Sequence, residues 1–265
     1  MEFDLKSNYV SCNILGPGEM NSGLGNQLFC LATTIAYALE NKKTASFPQI
    51  LKNNHYSKYN KIFYYNLLKD PINSFKYFYK EPKFSYTDIP FFDGNVNLEG
   101  YFQSERYFKK YRQEILDTFN IKNIQEVFKK KYEIQDGTCS LHVRRGDYLN
   151  LSHYHSNLTI NYYKQCINLL GREREYLIFS DDIEWCKKEF NFLKNVSFSE
   201  GRQDWQDIIL MSLCSDNIIA NSSFSWWGAW FNQNTKNTKI APKKWFTKNI
   251  KNDIIDLIPN KWKVI

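Results

Sequence analysis

The stretch LHVRRGDYL, residues 141–149, carries the pattern on which the fold prediction rests. It starts as an apolar run with Leu141 and Val143, typical of a buried strand, and ends in two arginines, a glycine and an aspartate. Arginine keeps its charge at physiological pH and presents a planar fork of donors that matches a pair of phosphate oxygens. Two arginines at a strand end therefore predict an anionic ligand.

The same order of elements recurs three more times in the second half of the chain. Each repeat has a short apolar strand, a polar tip and a helix with apolar residues three or four positions apart. After the first strand, at 139–145, the strands are YLIFSDD (176–182), NVSFSEG (195–201) and NIIANSS (217–223). Strands that alternate with helices predict an α/β fold, with a parallel sheet covered by helices on both faces.

The polar tips predict where a ligand binds. Right-handed crossovers bring them to one edge, at the carboxyl ends of the strands, where open α/β sheets bind ligands. The residues at these tips are Arg144, Arg145, Ser180, Asp181, Asp182, Ser199, Glu200, Asn221, Ser222 and Ser223. We expect them to form one site.

The first tip suggests different roles for its charged residues. Neighbouring residues on a strand point to opposite sides, so we expect Arg144 to meet the ligand and Arg145 to brace the site. A pairing of one arginine with Asp147 would also stiffen the loop. His142 lies on the same side of the strand as Arg144, where it either contacts the ligand or belongs to the core.

The later tips leave alternatives open. Asp181 and Asp182 precede a helix, so one of them is expected to cap it, while a Mg²⁺ site and hydrogen bonds to a guanine base are the other uses of the pair. Ser222 and Ser223 either cap the last helix or donate to an anion at its amino end. Trp226, Trp227 and Trp230 have the spacing of a buried helical face.

The first half opens with VSCNILGPGEMNSGLGNQLF (10–29), which predicts a strand, a glycine-rich turn and a helix. The apolar face of that helix is expected to contain Leu28, Leu31, Ile35 and Leu39. Glycines at 16, 18, 23 and 25 allow a ligand to approach the backbone amides at the helix start. Residues 51–110 show no regular period and are expected to be irregular.

Composition excludes several classes of protein. Of the 265 residues, 43% are hydrophobic and 24% charged, as in folded globular proteins. The net charge of +7 suits an anionic substrate, but the lysines form no long basic tract, so nucleic-acid binding is not expected. The six cysteines show no metal-ligand spacing and are expected to be reduced core thiols. No metal site is predicted.

The segments that direct a protein to a membrane are also not evident. Residues 1–10 contain charges and no apolar core of a signal peptide, and no later segment approaches the length of a spanning helix. We therefore expect a cytoplasmic protein without an integral membrane segment, and a peripheral association with the inner face of the membrane stays open.

Together these motifs resemble those of the bacterial-type α-1,2-fucosyltransferases of glycosyltransferase family 11. SGLGNQLFCLA (22–32) looks like the family's glycine-rich opening, and HVRRGDY (142–148) matches its His-x-Arg-Arg-x-Asp motif. GYFQSERYF (100–108) and the long LMSLCSDNIIANSSFSWWGAWFN (210–232) follow the family pattern, as do IAPKKWF (240–246) and IPNKWKVI (258–265). Ser22, Ser215 and Asp216 depart from it, at positions that could alter acceptor contacts.

The resemblance implies an architecture and a reaction. It implies two Rossmann-like domains of the glycosyltransferase-B type, which we place at residues 1–130 on the acceptor side and 131–265 on the GDP-fucose side. The reaction would be an inverting, metal-independent transfer of L-fucose from GDP-β-L-fucose to O2 of a terminal galactose, without a cofactor. A different acceptor or linkage, and a binding protein without turnover, are the alternatives.

The resemblance also implies roles for individual residues. Arg144 would grip the β-phosphate, and His142 with Asp181 or Asp182 would contact guanine. Ser222 and Ser223 would support the diphosphate. By its own chemistry Arg145 is a second diphosphate-binding residue, and Gly23, Gly25 and Asn26 of the glycine-rich motif are expected to bind a phosphate or a sugar hydroxyl. Asp147 is the nearest candidate for the general base, although a bracing role for it, or a base that is water or another carboxylate, is equally open.

Overall fold

The computed structural model describes residues 8–14, 23–52 and 58–265. The chain forms two compact units. The first contains the described residues up to Lys122 together with Asp253–Leu257, and the second contains Asn123–Asn252 and Ile258–Ile265. This division falls within helix α4, Ile121–Lys131, and so does the division at residue 130 expected from the sequence.

The first unit is built on a four-stranded parallel sheet with the order β2-β1-β4-β3. Its strands are β1 (Tyr9–Cys12), β2 (Thr44–Ala45), β3 (Tyr77–Lys80) and β4 (Val96–Glu99), and its helices are α1 (Leu24–Glu40), α2 (Gln49–Lys52) and α3 (Arg112–Thr118), with 3₁₀ turns at Glu105–Tyr107 and Lys109–Tyr111. The expectation of an irregular stretch at 51–110 is therefore wrong for β3 and β4. These strands have only four residues each, too few to establish a period. Strand β4 is defined by its pairing with β1, where Val10 lies opposite Val96, and β3 by its pairing with β4.

Helix α1 confirms the predicted helix but not its single buried face. Leu28 and Leu31 are fully buried, yet Leu39 is 44% exposed because it lies in the last turn. Polar residues such as Gln27 and Thr34 are buried as well. The helix is thus enclosed on nearly every side, which an apolar period cannot reveal.

The second unit is built on a six-stranded parallel sheet with the order β10-β9-β8-β5-β6-β7. The strands are β5 (Cys139–Val143), β6 (Tyr176–Ser180), β7 (Val196–Phe198), β8 (Asp216–Ile218), β9 (Lys239–Ala241) and β10 (Lys263–Val264). Numbered from β5, the order from the β7 edge is 3-2-1-4-5-6, that of doubly wound nucleotide-binding sheets. The strand order reverses between β5 and β8, and ligands bind at such a switch point.

Five helices connect these strands: α5 (Gly146–Asn150), α6 (Ile160–Leu170), α7 (Ile183–Glu189), α8 (Asp204–Leu213) and α9 (Ser223–Phe231). The last four were predicted, and their buried positions include Tyr163, Ile167, Cys186 and Ile208. The short helix α5 was not predicted. The predicted α/β class, with a parallel sheet and helices, is confirmed in each unit taken by itself.

The long motif at 210–232 contributes mainly to the core. Trp226 and Trp227 are fully buried and Trp230 is 3% exposed, as expected. Gly228 allows α8 and α9 to pack closely, because a Cβ at this position would lie 2.8 Å from Cβ of Met211.

A buried amide network joins the elements of this motif. Nδ2 of Asn217 donates to Oγ of Ser140 and to the carbonyl of Met211, both at 2.7 Å. Nδ2 of Asn232 donates to Oδ1 of Asn217 at 2.9 Å and to the carbonyl of Cys214 at 2.8 Å. These bonds satisfy buried polar groups and fix β5, α8, β8 and the end of α9 in register.

The six cysteines are buried and free, which confirms the expected core thiols. Among the helices that the structure describes, none has both the length and the apolar character to cross a membrane.

Candidate functional site at the strand tips of the second unit

Arg144 lies directly after β5, at the switch point of the sheet. Its Nη2 is 2.7 Å from Oδ1 of Asp147 and its Nη1 is 2.9 Å from Oδ2 of Asp181. One third of its side chain is exposed to solvent. The guanidinium is thus held by two carboxylates while part of it remains accessible to a ligand.

Arg145 makes the contacts of a bracing residue. Its Nε is 3.0 Å from Oδ2 of Asp182, and its guanidinium carbon lies 4.1 Å from the centre of the Trp185 ring. Its backbone N–H donates to Oδ1 of Asp181 at 2.9 Å. These contacts link the tips of β5 and β6, and the ligand role of Arg144 stays a prediction.

The two aspartates after β6 have separate positions. Asp182 caps α7 by accepting a hydrogen bond from the backbone N–H of Trp185, so the capping alternative holds for this residue. Asp181 instead joins Arg144 to the backbone of Arg145. A contact of either residue with guanine stays a prediction.

Acidic residues at the tips do not form a cluster suited to a cation. In the ranges that the structure describes, no group of three or more His, Cys, Asp or Glu side chains is arranged to hold a metal ion. Metal-independent transfer stays a prediction, to be tested with a chelator.

His142 is buried in β5, only 4% exposed, with its ring centroid 5.4 Å from that of Phe224. Burial lowers its pKa to about 3, and the charge of Arg144 acts in the same direction. Its Nδ1 has no hydrogen-bond partner among the residues that the structure describes. The imidazole is therefore neutral at pH 7 and retains an unused polar atom beside the strand tip.

The tip of β8 lies beside that of β5. Ser222 caps α9 by accepting from the backbone N–H of Phe224 at 3.3 Å, and Ser223 is the first residue of that helix. Oη of Tyr148 donates to the carbonyl of Asn221 at 3.1 Å. This bond connects the two tips across the switch point, which the sequence did not predict.

Asp207 is a further polar residue that the sequence analysis missed. Its Oδ1 accepts from Oγ of Ser199, which follows β7, and that hydroxyl also accepts from Arg202 at 3.0 Å. Burial raises the pKa of Asp207 to about 6. An acidic residue in the first turn of a helix is typical of an exposed position. That Asp207 is partly buried, and that its pKa is raised, is evident only in the structure.

The predicted residues of the glycine-rich motif lie in the first unit. Gly23 is the residue before α1, and Gly25 is buried in the first turn. Oδ1 of Asn26 accepts from Nε2 of Gln103 at 2.8 Å, which joins this motif to GYFQSERYF. Gly16 and Gly18 lie outside the described residues.

Comparison with known proteins gives a consistent family. The sequence profile of the family described as "Glycosyl transferase family 11" matches residues 19–265. An alpha-1,2-colitosyltransferase of Escherichia coli is 38% identical over 182 residues, 64% of this chain and 62% of that protein. The O-antigen biosynthesis glycosyltransferase WbnK of Escherichia coli is 36% identical over 173 residues, 59% of this chain and 57% of that protein. The chain thus spans about three fifths of the length of these relatives.

Solved structures give a weaker likeness. The fucosyltransferase NodZ from Bradyrhizobium is 10% identical, with a TM-score of 0.48, and the match covers 84% of this chain and 93% of that one.

Proposed function

Because the chain belongs to glycosyl transferase family 11, we propose that it transfers L-fucose from GDP-β-L-fucose to O2 of a terminal galactose, with inversion and without a metal ion. The observation that carries this proposal is the carboxylate-braced arginine pair, Arg144 and Arg145, at the switch point of the doubly wound sheet. Such a position suits a diphosphate, since a guanidinium presents paired donors that match phosphate oxygens.

The chemistry follows from where charge develops. The acceptor hydroxyl oxygen forms a bond to C1 of the fucosyl group while the bond from C1 to the β-phosphate oxygen breaks. Negative charge grows on the departing phosphate, and GDP leaves with that electron pair. A guanidinium fixed in advance stabilises this charge more strongly in the transition state than in the ground state, which is the condition for catalysis.

Asp147 fits two successive tasks in this scheme. It holds Arg144 at 2.7 Å, yet half of its side chain is exposed, so a phosphate can replace it at small cost. A carboxylate released in this way could accept the proton that the acceptor hydroxyl loses. We therefore keep Asp147 as the candidate base within the proposal.

A second donor sugar, colitose, is supported by one of the relatives. One relative is an alpha-1,2-colitosyltransferase, and colitose is L-fucose without its 3-hydroxyl group. The two donors would need the same diphosphate contacts and differ only at the sugar, so a comparison of kcat/KM for GDP-fucose and GDP-colitose separates them.

The proposal is tested by GDP release from GDP-fucose in the presence of lactose, with and without EDTA. We expect release that depends on lactose and is insensitive to EDTA, and a disaccharide product with an α-1,2 linkage by NMR. Arg144→Ala should lower kcat by roughly 10²–10³-fold, the typical effect of removing one donor that stabilises a developing anion.

Several outcomes would count against it. Loss of turnover in EDTA would overturn the metal-free mechanism. Tight GDP binding without transfer or hydrolysis of either donor would favour a binding protein without turnover. Transfer to another acceptor or with another linkage, found with an acceptor array, would keep the enzyme and change its product.

A further inference from the structure

Tyr148 connects the predicted phosphate site to a group of stacked side chains. The guanidinium carbon of Arg144 is 5.4 Å from the centre of the Tyr148 ring. The ring of His155 lies parallel to Tyr148, with centroids 3.8 Å apart and planes inclined by 3°. Phe246 stacks on His155 at 5.9 Å and 29°. We call Tyr148, His155 and Phe246 the aromatic stack.

The aromatic stack is fixed to the backbone at both of its ends. Tyr148 is held by its hydrogen bond to the carbonyl of Asn221. His155 and Phe246 form an antiparallel bridge, reinforced by Oγ of Ser156, which donates to the carbonyl of Phe246 at 2.6 Å.

Asn221 joins the two ends. Its Nδ2 donates to the carbonyls of Ser156 and Trp245, both at 2.8 Å, while its own carbonyl holds Tyr148. Asn221, buried at the tip of β8, therefore holds in place both the segment of Tyr148 and the segment of Phe246. The ring of His155 lies between these two side chains.

His155 is suited to packing against Tyr148 and not to forming an ion pair. Burial lowers its pKa to about 4, so the ring is neutral at pH 7 and does not repel Arg144. A neutral imidazole that is stacked face to face on a phenol ring restricts the tilt of that ring. Arg144 is one-third exposed and one of its two carboxylate partners is half-exposed, so packing against Tyr148 adds to the orientation that Asp181 provides.

We propose that His155 is a positioning residue which, by packing against Tyr148, holds the Arg144 guanidinium in the orientation that the departing phosphate requires. This inference rests on the proposed function. It predicts that His155 acts only through Arg144, which distinguishes it from a residue that merely stabilises the fold.

The test is a double-mutant cycle on kcat and KM for the GDP-sugar, with wild type, His155→Ala, Arg144→Ala and the double variant. We expect His155→Ala to lower kcat about 10-fold with a smaller change in KM, since a displacement of about 1 Å at a reacting group can cost up to roughly 100-fold. In the Arg144→Ala background the same change should cost less than about twofold, because residues that act as a unit are not additive.

Two further variants serve as controls. His155→Phe keeps a planar ring against Tyr148 and should retain kcat within about threefold, and the exposed neighbour His153→Ala should behave as wild type. If His155→Ala does not fold, His155→Leu takes its place in the cycle, because it fills the site without a planar ring.

Equal losses in both backgrounds would overturn the inference, and so would a wild-type kcat in His155→Ala or His155→Leu. If wild type transfers from neither GDP-fucose nor GDP-colitose, the proposed function fails. The cycle is then measured on GDP affinity by calorimetry, where additive effects overturn the inference separately.

Discussion

Two carboxylates form ion pairs with Arg144, and one of them is less exposed and has more contacts than the other. Asp181 is 26% exposed at its side chain and also accepts the backbone N–H of Arg145. Asp147 is 53% exposed and makes a single ion pair three residues along the chain, of a kind that contributes at most about 1 kcal/mol. Asp181 is therefore the fixed part of this arrangement and Asp147 the exchangeable part.

Gly146 is the residue that permits Asp181 to lie so close. A Cβ at position 146 would be 2.6 Å from Oδ2 and 3.1 Å from Cγ of Asp181. Gly146→Ala should push that carboxylate away from Arg144 and lower kcat by about 10-fold or more, by misplacing the guanidinium. Steady-state kinetics of the purified variant measure this effect.

The double variant Gly146→Ala with Asp181→Ala is the matched control for this prediction. Shortening Asp181 removes the clash, so Gly146→Ala should cost little further activity in that background. An undiminished loss there would show that Gly146 is needed for the backbone itself and not for its neighbour.

At the scale of elements, the GYFQSERYF motif folds around one carboxylate of the first unit. Oε2 of Glu81, at the end of β3, accepts from the backbone N–H groups of Tyr101 at 2.8 Å and Phe102 at 3.0 Å. Phe102 has a φ of +50°, in the left-handed region, and is fully buried. Burial raises the pKa of Glu81, and the two N–H groups partly oppose that shift. The carboxylate thus stabilises a turn that the backbone would not adopt alone.

Glu81→Ala should destabilise the first unit by about 2–4 kcal/mol, because two partly buried N–H groups lose their acceptor and each costs about 1–3 kcal/mol. Hydrogen exchange should show faster opening at the amides of Tyr101 and Phe102. Glu114→Ala, which removes an exposed carboxylate from the same unit, should leave those amides protected. Unchanged protection in Glu81→Ala would contradict this role.

At the scale of the whole molecule, two buried groups of the second unit respond to acid in opposite directions. His142 has a pKa of about 3 when folded against 6.5 as the reference, so the unfolded chain binds its proton first and stability falls as the pH drops below 6.5. Asp207 has a pKa of about 6 when folded against 3.8, so the folded chain binds that proton first and stability rises as the pH drops below 6. Each effect amounts to about 1.4 kcal/mol per pH unit.

We therefore expect the free energy of unfolding to change by less than about 1 kcal/mol from these two groups between pH 7 and 5. Asp207→Asn should lose about 2 kcal/mol over that interval, whereas His142→Phe should gain about 1 kcal/mol. All seven tryptophans of the chain lie in the second unit, so tryptophan fluorescence in urea reports its unfolding selectively. Identical pH dependence in wild type and Asp207→Asn would exclude this compensation.

The parts of the protein that repeat a local pattern could be predicted from the sequence. Apolar strands that alternate with amphipathic helices predict the parallel sheet of the second unit, because the apolar face of each element must be buried against another element. The same pattern places Arg144, Asp181 and Ser222 at the carboxyl edge. The grouping of the arginines with Asp147, Asp181 and Asp182 follows from that edge, since parallel strands bring their ends together.

The partner that each of these groups takes is evident only in the folded protein. Asp182 caps α7 and Asp181 bridges two arginines, although the two residues are identical and adjacent in the sequence. Tyr148, His155 and Phe246 lie in separate segments, and no local pattern predicts a contact between residues almost 100 positions apart. Strands β3 and β4 and the burial of Glu81 and Asp207 depend in the same way on long-range pairing. Local propensity does not encode such contacts, because their free energy appears only when distant segments exclude water from each other.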